Sequence, residues 1–440
     1  MSFRTLIAGR LSALTAVALR SAFVRTVGMS SVATALRIVL GLFSTKIIAV
    51  FAGPSGIAAI GQLQSFLALQ STIASGGISN GIVTHVSSSK DDKPRLRAIL
   101  GNATLVTLVF ASGTAIATLA FRHALAQELL GDPDKAYVFT VSAAVVLIGS
   151  AGGIVGATMN GQMMIGRLML TGMAGTVMAF LITIGLVIAR GADGAVLATV
   201  IAGALGASVT MACAYRWNWL PFADFWPRYD AADTKRLLQF TVMTFVSGIF
   251  SPISLILVRN VLQNELSMAH VGYWQSIWRI SEVYIQIVTI PLSTYYLPRL
   301  AAAGGDAEMG PVIRRSMALI TPVVAVMALA IWSMKDVIVH LLYTPEFLPM
   351  RDLFAFQMIG DVLKIASWLI SLIMVVRSMT RLLIVTDLIF HSLFVLLVFL
   401  FVRMFGFVGA SYAFALNYFL YFVTMAVLFR TVLLARPGRA

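Results

Sequence analysis

Apolar runs of about twenty residues recur from one end of this chain to the other, and nothing else constrains its fold as strongly. A run of that length crosses a hydrocarbon layer as one helix, since roughly 20 residues rising 1.5 Å each span about 30 Å. The stretch LFAFQMIGDVLKIASWLISLIMVV, Leu353 to Val376, is one such run. Short clusters of Gly, Pro and charge separate the runs, among them GPSG, KDDKPRLR, GDPDK, ARGADG and RNVLQNE. Barrel strands would instead alternate apolar and polar residues over about ten positions. With 59% hydrophobic and 11% charged residues among 440, the chain has more apolar surface than a water-soluble core can hide. The pattern predicts an all-α polytopic membrane protein with twelve transmembrane helices. They fall near 25–52, 56–86, 98–121, 136–161, 168–189, 194–215, 236–262, 270–298, 312–332, 353–376, 382–402 and 407–430.

The net charge of +14 fits basic loops at a membrane face. Nucleic acid is excluded as a partner, because no exposed aromatic platforms interleave the basic residues. With the N-terminus placed inside, 21 of the 32 Lys and Arg fall in inner segments and 6 in outer loops. That bias puts both termini in the cytoplasm. Residues 1–24, with Arg4, Arg10 and Arg20 on no common helical face, form an N-terminal cytoplasmic extension. YRWNWLPFADFWPRY, Tyr215 to Tyr229, has the Trp, Tyr and Arg content of a membrane-interface belt. The single cysteine, Cys213, lies in an apolar run and suits packing. No phosphate-binding loop, H-E-x-x-H motif or Cys/His metal spacing occurs, so neither a cofactor nor a metal is expected.

The chain also repeats itself. GADGAVLA at Gly191 and GFVGASYA at Gly406 share G-x-x-G-A-x-x-A at an offset of 215. GRLML at Gly166 and TRLLI at Thr380 lie 214 apart, Gly56 and Gly272 lie 216 apart, and Pro94 and Pro311 lie 217 apart. Four anchors in one order predict two pseudo-symmetric six-helix lobes, residues 25–215 and 236–440, joined by a linker at 216–235. An even number of helices per half makes the repeats parallel, with a central cavity at their interface near midplane.

Formal charges inside the spans cost roughly 2.5–3.5 kcal/mol each at a helix centre and must face protein or water. Gln357, Asp361, Lys364, Trp368 and Ser371 follow one helical stripe, as do Gln275, Arg279, Glu282, Gln286, Thr289 and Ser293. Ser30, Thr34, Arg37, Gly41 and Ser44 make a third stripe, and Thr241, Thr244, Gly248, Ser251 and Arg259 a fourth. Two readings compete. In one, Asp361–Lys364 and Arg279–Glu282 neutralise each other as i,i+3 pairs and the stripes glue helices together. In the other, the stripes line a wet cavity, which four such helices in both halves favour. Cations outnumber anions within the spans, so that cavity prefers an anion, and phosphate is the anion Arg and Lys hold best. Lys46 stands about half a turn away from Arg37 and can snorkel. His391, four residues after Asp387, is the one candidate proton-handling pair.

MRDLFAFQMIGDVLKIASWL (350–369), VGYWQSIWRISEVYIQ (271–286), YYLPRL (295–300) and GGISNGIVTHV (76–86) resemble segments of the Wzx-type flippases. These belong to the multidrug/oligosaccharidyl-lipid/polysaccharide exporter superfamily, and the likeness is strongest to the enterobacterial common antigen branch. The resemblance covers about residue 27 to the end. It implies a transporter, not an enzyme, that moves undecaprenyl-diphosphate-linked oligosaccharide, an O-antigen or common antigen repeat unit, to the periplasmic leaflet. It implies important cavity cations, here Arg37, Lys46, Arg259 and Lys364, to which the stripes add Arg279. Glu282, Asp361, Gln275, Gln286, Gln357 and Asn80 complete the expected polar lining. Membrane lipids, and polysaccharide polymerase and chain-length proteins, are the expected partners. A cation-coupled multidrug exporter is the alternative, disfavoured because every acid of the first half lies in a loop. A membrane-embedded glycan polymerase or ligase would need longer outer loops than these.

Overall fold

The computed structural model describes residues 3–90, 92–217, 219 and 221–435. The expected extension at 1–24 lies outside the residues whose side chains are described. The N-terminal half contains α1 (Phe3–Ala74), α2 (Ser79–Ser88), α3 (Lys93–Ala120), α4 (Arg122–Leu130), α5 (Ala136–Gly161) and α6 (Ile165–Arg216). The C-terminal half contains α7 (Ala231–Glu265), α8 (Met268–Ala301), α9 (Asp306–Ser333), α10 (Lys335–Leu342), α11 (Phe354–Val376), α12 (Thr380–Phe405), α13 (Gly409–Leu428) and α14 (Arg430–Leu434). No strand occurs among the described residues.

Among the described residues seven stretches are long and apolar enough to cross a bilayer, three of them 43, 52 and 49 residues long. Each of these three is broken at a glycine: Gly53 (φ 61°), Gly191 (φ 57°) and Gly406 (φ 64°). Only glycine combines such a φ with their extended ψ (−167°, −130° and −147°) without a Cβ clash. Pro54 follows Gly53 and restarts the helix, where its missing N–H costs nothing. Apolar side chains such as Ile116, Ile188, Leu319 and Val326 are 66–68% exposed. On a multi-pass membrane protein that surface meets lipid.

The offset of 215 recurs in the backbone. Gly191 and Gly406 share their positive φ, and so do Met163 (φ 60°) and Ser378 (φ 53°), which lie 215 residues apart and are not glycines. At both places the chain closes a helix by the same bonds, Met164 N–H to Met159 O (2.9 Å) and Met379 N–H to Met374 O (2.8 Å). These six-to-one bonds satisfy the last free carbonyls of α5 and α11.

α1 runs beside α6 and also packs on α7 and α8, so it carries the line where the two halves meet. That line is lined by small residues. A Cβ on Gly272 would stand 2.0 Å from the Pro54 carbonyl oxygen, and one on Gly61 would stand 2.6 Å from the Gln275 side chain. Replacing Gly272 with Val should therefore lower the melting temperature in detergent, by about 1–3 kcal/mol of overpacking strain or more. Gly113→Ala, where nothing lies within 4 Å, should leave it unchanged or raise it by up to about 1 kcal/mol.

Candidate functional site

Among the described residues every salt bridge lies at a helix end. At one end Arg95 grips Asp233 with two bonds (2.8 and 2.5 Å) and Arg97 holds Asp224 (2.6 Å). At the other end are Lys135–Asp193, Arg351–Asp336 and Arg403–Glu265. No mid-helix charge appears in this set. Asp361–Lys364 and Arg279–Glu282 form no salt bridge among the described residues, although Asp361 and Lys364 still feel each other's charge along α11.

Arg259 of α7 is 2% exposed. Its Nε and Nη2 donate to Gln275 Oε1 (3.0 and 2.7 Å), and Nη1 donates to Ser65 Oγ (2.8 Å). Gln275 belongs to α8 and Ser65 to α1, so one guanidinium joins the halves. Beside it Gln62 Nε2 donates to Asn260 Oδ1 (2.6 Å), again from α1 to α7. Burying a guanidinium costs several kcal/mol unless its N–H groups are bonded. Arginine cannot escape by losing its proton. Here neutral amide and hydroxyl oxygens supply the bonds, while the Glu282 carboxylate acts on the charge at a distance, without a bond.

Aromatic faces take part of that role. The Arg259 Cζ lies 5.6 Å from the Trp274 ring centre, and Trp274 and Trp278 lie 5.1 Å apart. Lys364 Nζ stands 5.2 Å from the Trp278 ring and 5.5 Å from Tyr418. Buried Arg259 and half-buried Lys364 thus sit at the ends of one tryptophan pair, whose negative ring faces attract them. The ring edges serve the anions: Trp278 Nε1 donates to Glu282 Oε1 (2.8 Å). Asp361, fully buried on α11, accepts from the Tyr284 hydroxyl (2.8 Å). Gln357 Nε2 donates to Ser281 Oγ (3.3 Å).

The remaining expected residues divide by place. Arg279 is half-buried near Gly41 and carries no hydrogen bond or ion pair among the described residues. Arg37, Glu282 and Gln286 are exposed. Lys46 does not join them: its ammonium bonds the carbonyls of His340 (3.1 Å) and Tyr343 at the end of α10, where the helix dipole favours a cation. Asn80 is exposed on α2, away from the cation cluster. Asp387 and His391 do not pair through the carboxylate. The His391 Nδ1 bonds the Asp387 backbone carbonyl (2.8 Å), and both side chains line a cavity of about 540 Å³ that also takes Lys364 and Trp278. Among the described residues no three of His, Cys, Asp and Glu cluster as metal ligands.

Sequence reasoning missed Ser65, Gln62 and Asn260, the partners across the halves. It also missed the Trp274–Trp278 pair, although its i,i+4 spacing was visible in VGYWQSIWRISE. A double-mutant cycle of Ser65→Ala and Arg259→Met, read by unfolding in detergent, should give a coupling of about 1.5–3 kcal/mol, the range for a charge-assisted bond. Zero coupling would show that the halves do not share this guanidinium.

Residues 47–352 match the family described as "Polysaccharide biosynthesis protein". The chain is 26% identical to the lipid III flippase of Escherichia coli (strain K12) over 396 residues, 89% of this chain and 94% of that one. Its fold matches an inward-facing multidrug resistance MATE family transporter of the MOP superfamily with a TM-score of 0.76, at 13% identity over 90% of this chain and 95% of the other. It matches the lipid II flippase MurJ in an inward closed conformation with a TM-score of 0.73, at 12% identity over 91% and 87%. Since the family match takes in more than half of its length, this chain belongs to the polysaccharide biosynthesis protein family.

Proposed function

We propose that this protein flips undecaprenyl-diphosphate-linked oligosaccharide from the cytoplasmic to the periplasmic leaflet of the inner membrane by alternating access. The observation that carries the reading is the set of intramembrane cations in no salt bridge among the described residues, in a chain 26% identical to a lipid III flippase along nearly its whole length. The breaks at Gly53, Gly191 and Gly406 divide three of the seven long apolar stretches, and with α7 and α8 they make twelve crossings. Two six-helix lobes, residues 25–215 and 236–440, then face each other, with both termini in the cytoplasm. The paired backbone features 215 residues apart support that division.

In this reading Arg37, Arg279 and Lys364 receive the diphosphate, with Gln275, Gln286 and Gln357 as polar lining. Glu282 and Asp361 are held by Trp278 and Tyr284, so they restrain the local field without cancelling the cations. Arg259 has all of its donor nitrogens engaged, and parting α1 from α7 frees its Nη1 while Nε and Nη2 stay on Gln275. Substrate that binds the parted state more tightly shifts the equilibrium toward it, which is what alternating access needs. Lys46 is assigned to holding the α10 end shut. The polyprenyl chain stays in lipid. Polymerase and chain-length proteins would receive the product.

A cation-coupled drug exporter shares the fold, but a cavity biased toward cations disfavours its ligands. Arg279→Ala and Lys364→Ala at normal expression should each lower surface polysaccharide at least about tenfold, with the double variant lower still; a 1.4 kcal/mol loss of binding already gives a factor of ten. Full output from the single and double variants would remove the diphosphate role. Drug resistance conferred on a sensitive host would favour the exporter.

A further inference from the structure

The cavity of about 540 Å³ lies wholly within the C-terminal half, among α7, α8, α11, α12 and α13. It falls in the range of about 300–1,000 Å³ typical of ligand sites. Its wall is mixed. Trp368, Tyr418 and Tyr421 offer rings, while Lys364 and Asp387 offer charge. The other two large cavities, about 480 Å³ between α1 and α3 and about 510 Å³ between α9 and α11, are mainly apolar and suit hydrocarbon.

One polar group in the mixed cavity has an unmet bond. Asn417 lines the wall but is 5% exposed, and its Oδ1, turned away from the open space, has no hydrogen-bond partner among the described residues. A buried acceptor without a donor is costly, and a ligand hydroxyl or amide N–H would remove that cost. Lys364 is in no salt bridge among the described residues and rests on the Trp278 and Tyr418 rings.

The repeat provides an internal comparison. At the offset of 215, Lys364, Trp368, Asp387, Tyr418 and Tyr421 correspond to Gly149, Gly153, Gly172, Gly203 and Gly206, and Asn417 to Ala202. A Cβ at any of those five glycines would meet nothing within 4 Å. The fold therefore builds the same helices with no side chains at these positions, and core packing alone does not require the aromatic and charged groups of the second half.

The ligand class follows from the wall. The Lys364 ammonium opposes a metal cation, and the polar groups oppose hydrocarbon. Aromatic faces beside an amide oxygen and a cation suit a pyranose, whose axial C–H face stacks on a ring while its hydroxyls bond at the edge. Building on the flippase reading, we propose that this cavity binds the sugar attached to the diphosphate. The Asn417 amide turns toward the cavity so that its Oδ1 accepts from a hydroxyl or acetamido N–H, a ring face lies on Trp368 or Tyr418, and Lys364 marks the phosphate edge. The first half, with glycines there, has no equivalent site.

The test compares two lipids on the purified full-length protein in nanodiscs: undecaprenyl diphosphate, and the same lipid carrying one N-acetylglucosamine. Tryptophan fluorescence quenching reads their affinities. The sugar should tighten binding by about tenfold or more in the native protein. Asn417→Leu and Trp368→Leu should each erase most of that gain while keeping affinity for the bare diphosphate, which also certifies their folding. Equal affinity of the native protein for both lipids, or a sugar gain that survives both substitutions, overturns the proposal while leaving the flippase reading intact. Binding of neither lipid overturns that reading and this site with it.

Discussion

Arg259 is a cation sealed from water at the line where the N- and C-terminal halves meet, and the rest of the architecture is arranged around its needs. A guanidinium offers five N–H donors and no way to become neutral. Ser65 from α1 and Gln275 from α8 accept from all three of its nitrogens. Those partners must approach closely, which is why Gly61 and Gly272 stand where α1 meets α8. The small residues, the amide acceptors and the buried charge are one device. Its consequence is that separating the halves exposes a cation, and closing them requires that cation to find neutral partners again.

The second consequence concerns what balances charge in the membrane. Carboxylate pairs are confined to the helix ends among the described residues, where water and loops tolerate them. Inside, Trp274 and Trp278 separate Arg259 from Lys364, and the indole N–H of Trp278 holds Glu282. A ring face attracts a cation by about 0.5–2 kcal/mol, far less than a buried carboxylate would. Lys364, resting on ring faces rather than in a salt bridge, would still favour a stronger anion. In the proposed flippase reading, a diphosphate would therefore reach it without first having to break a salt bridge.

Much of this was legible in the sequence, for physical reasons. Membrane spans announce themselves because lipid demands long apolar helices; the expected 136–161 and 353–376 differ little from α5 and α11. The G-x-x-G repeat was readable because positive φ selects glycine, and Gly191 and Gly406 adopt it. Met163 and Ser378 adopt it too, but neither residue type signals that, so this half of the repeat was invisible. The polar stripes identified Gln275, Asp361 and Lys364 because helical period fixes which residues share a face. What period cannot give is the partner on another helix. Lys46 looked like a cavity cation in one dimension, yet its long stem reaches α10 carbonyls nearly 300 residues away in sequence. Asp387 and His391 read as a candidate proton-handling pair, and the fold adds what spacing could not show: the His391 Nδ1 is taken by the Asp387 backbone carbonyl, and both side chains line one cavity.

The central claim is that the loosely balanced cations form the wall of a hollow that takes a diphosphate. Cryo-electron microscopy of the protein in nanodiscs loaded with an undecaprenyl-diphosphate-linked saccharide tests it most directly, because phosphorus density locates the headgroup without relying on an activity. The account predicts both phosphates within hydrogen-bonding reach of side chains drawn from Arg37, Arg279 and Lys364. Phosphates held outside the helices, at the Arg95–Asp233 end, with those three cations still enclosed by protein, would contradict it.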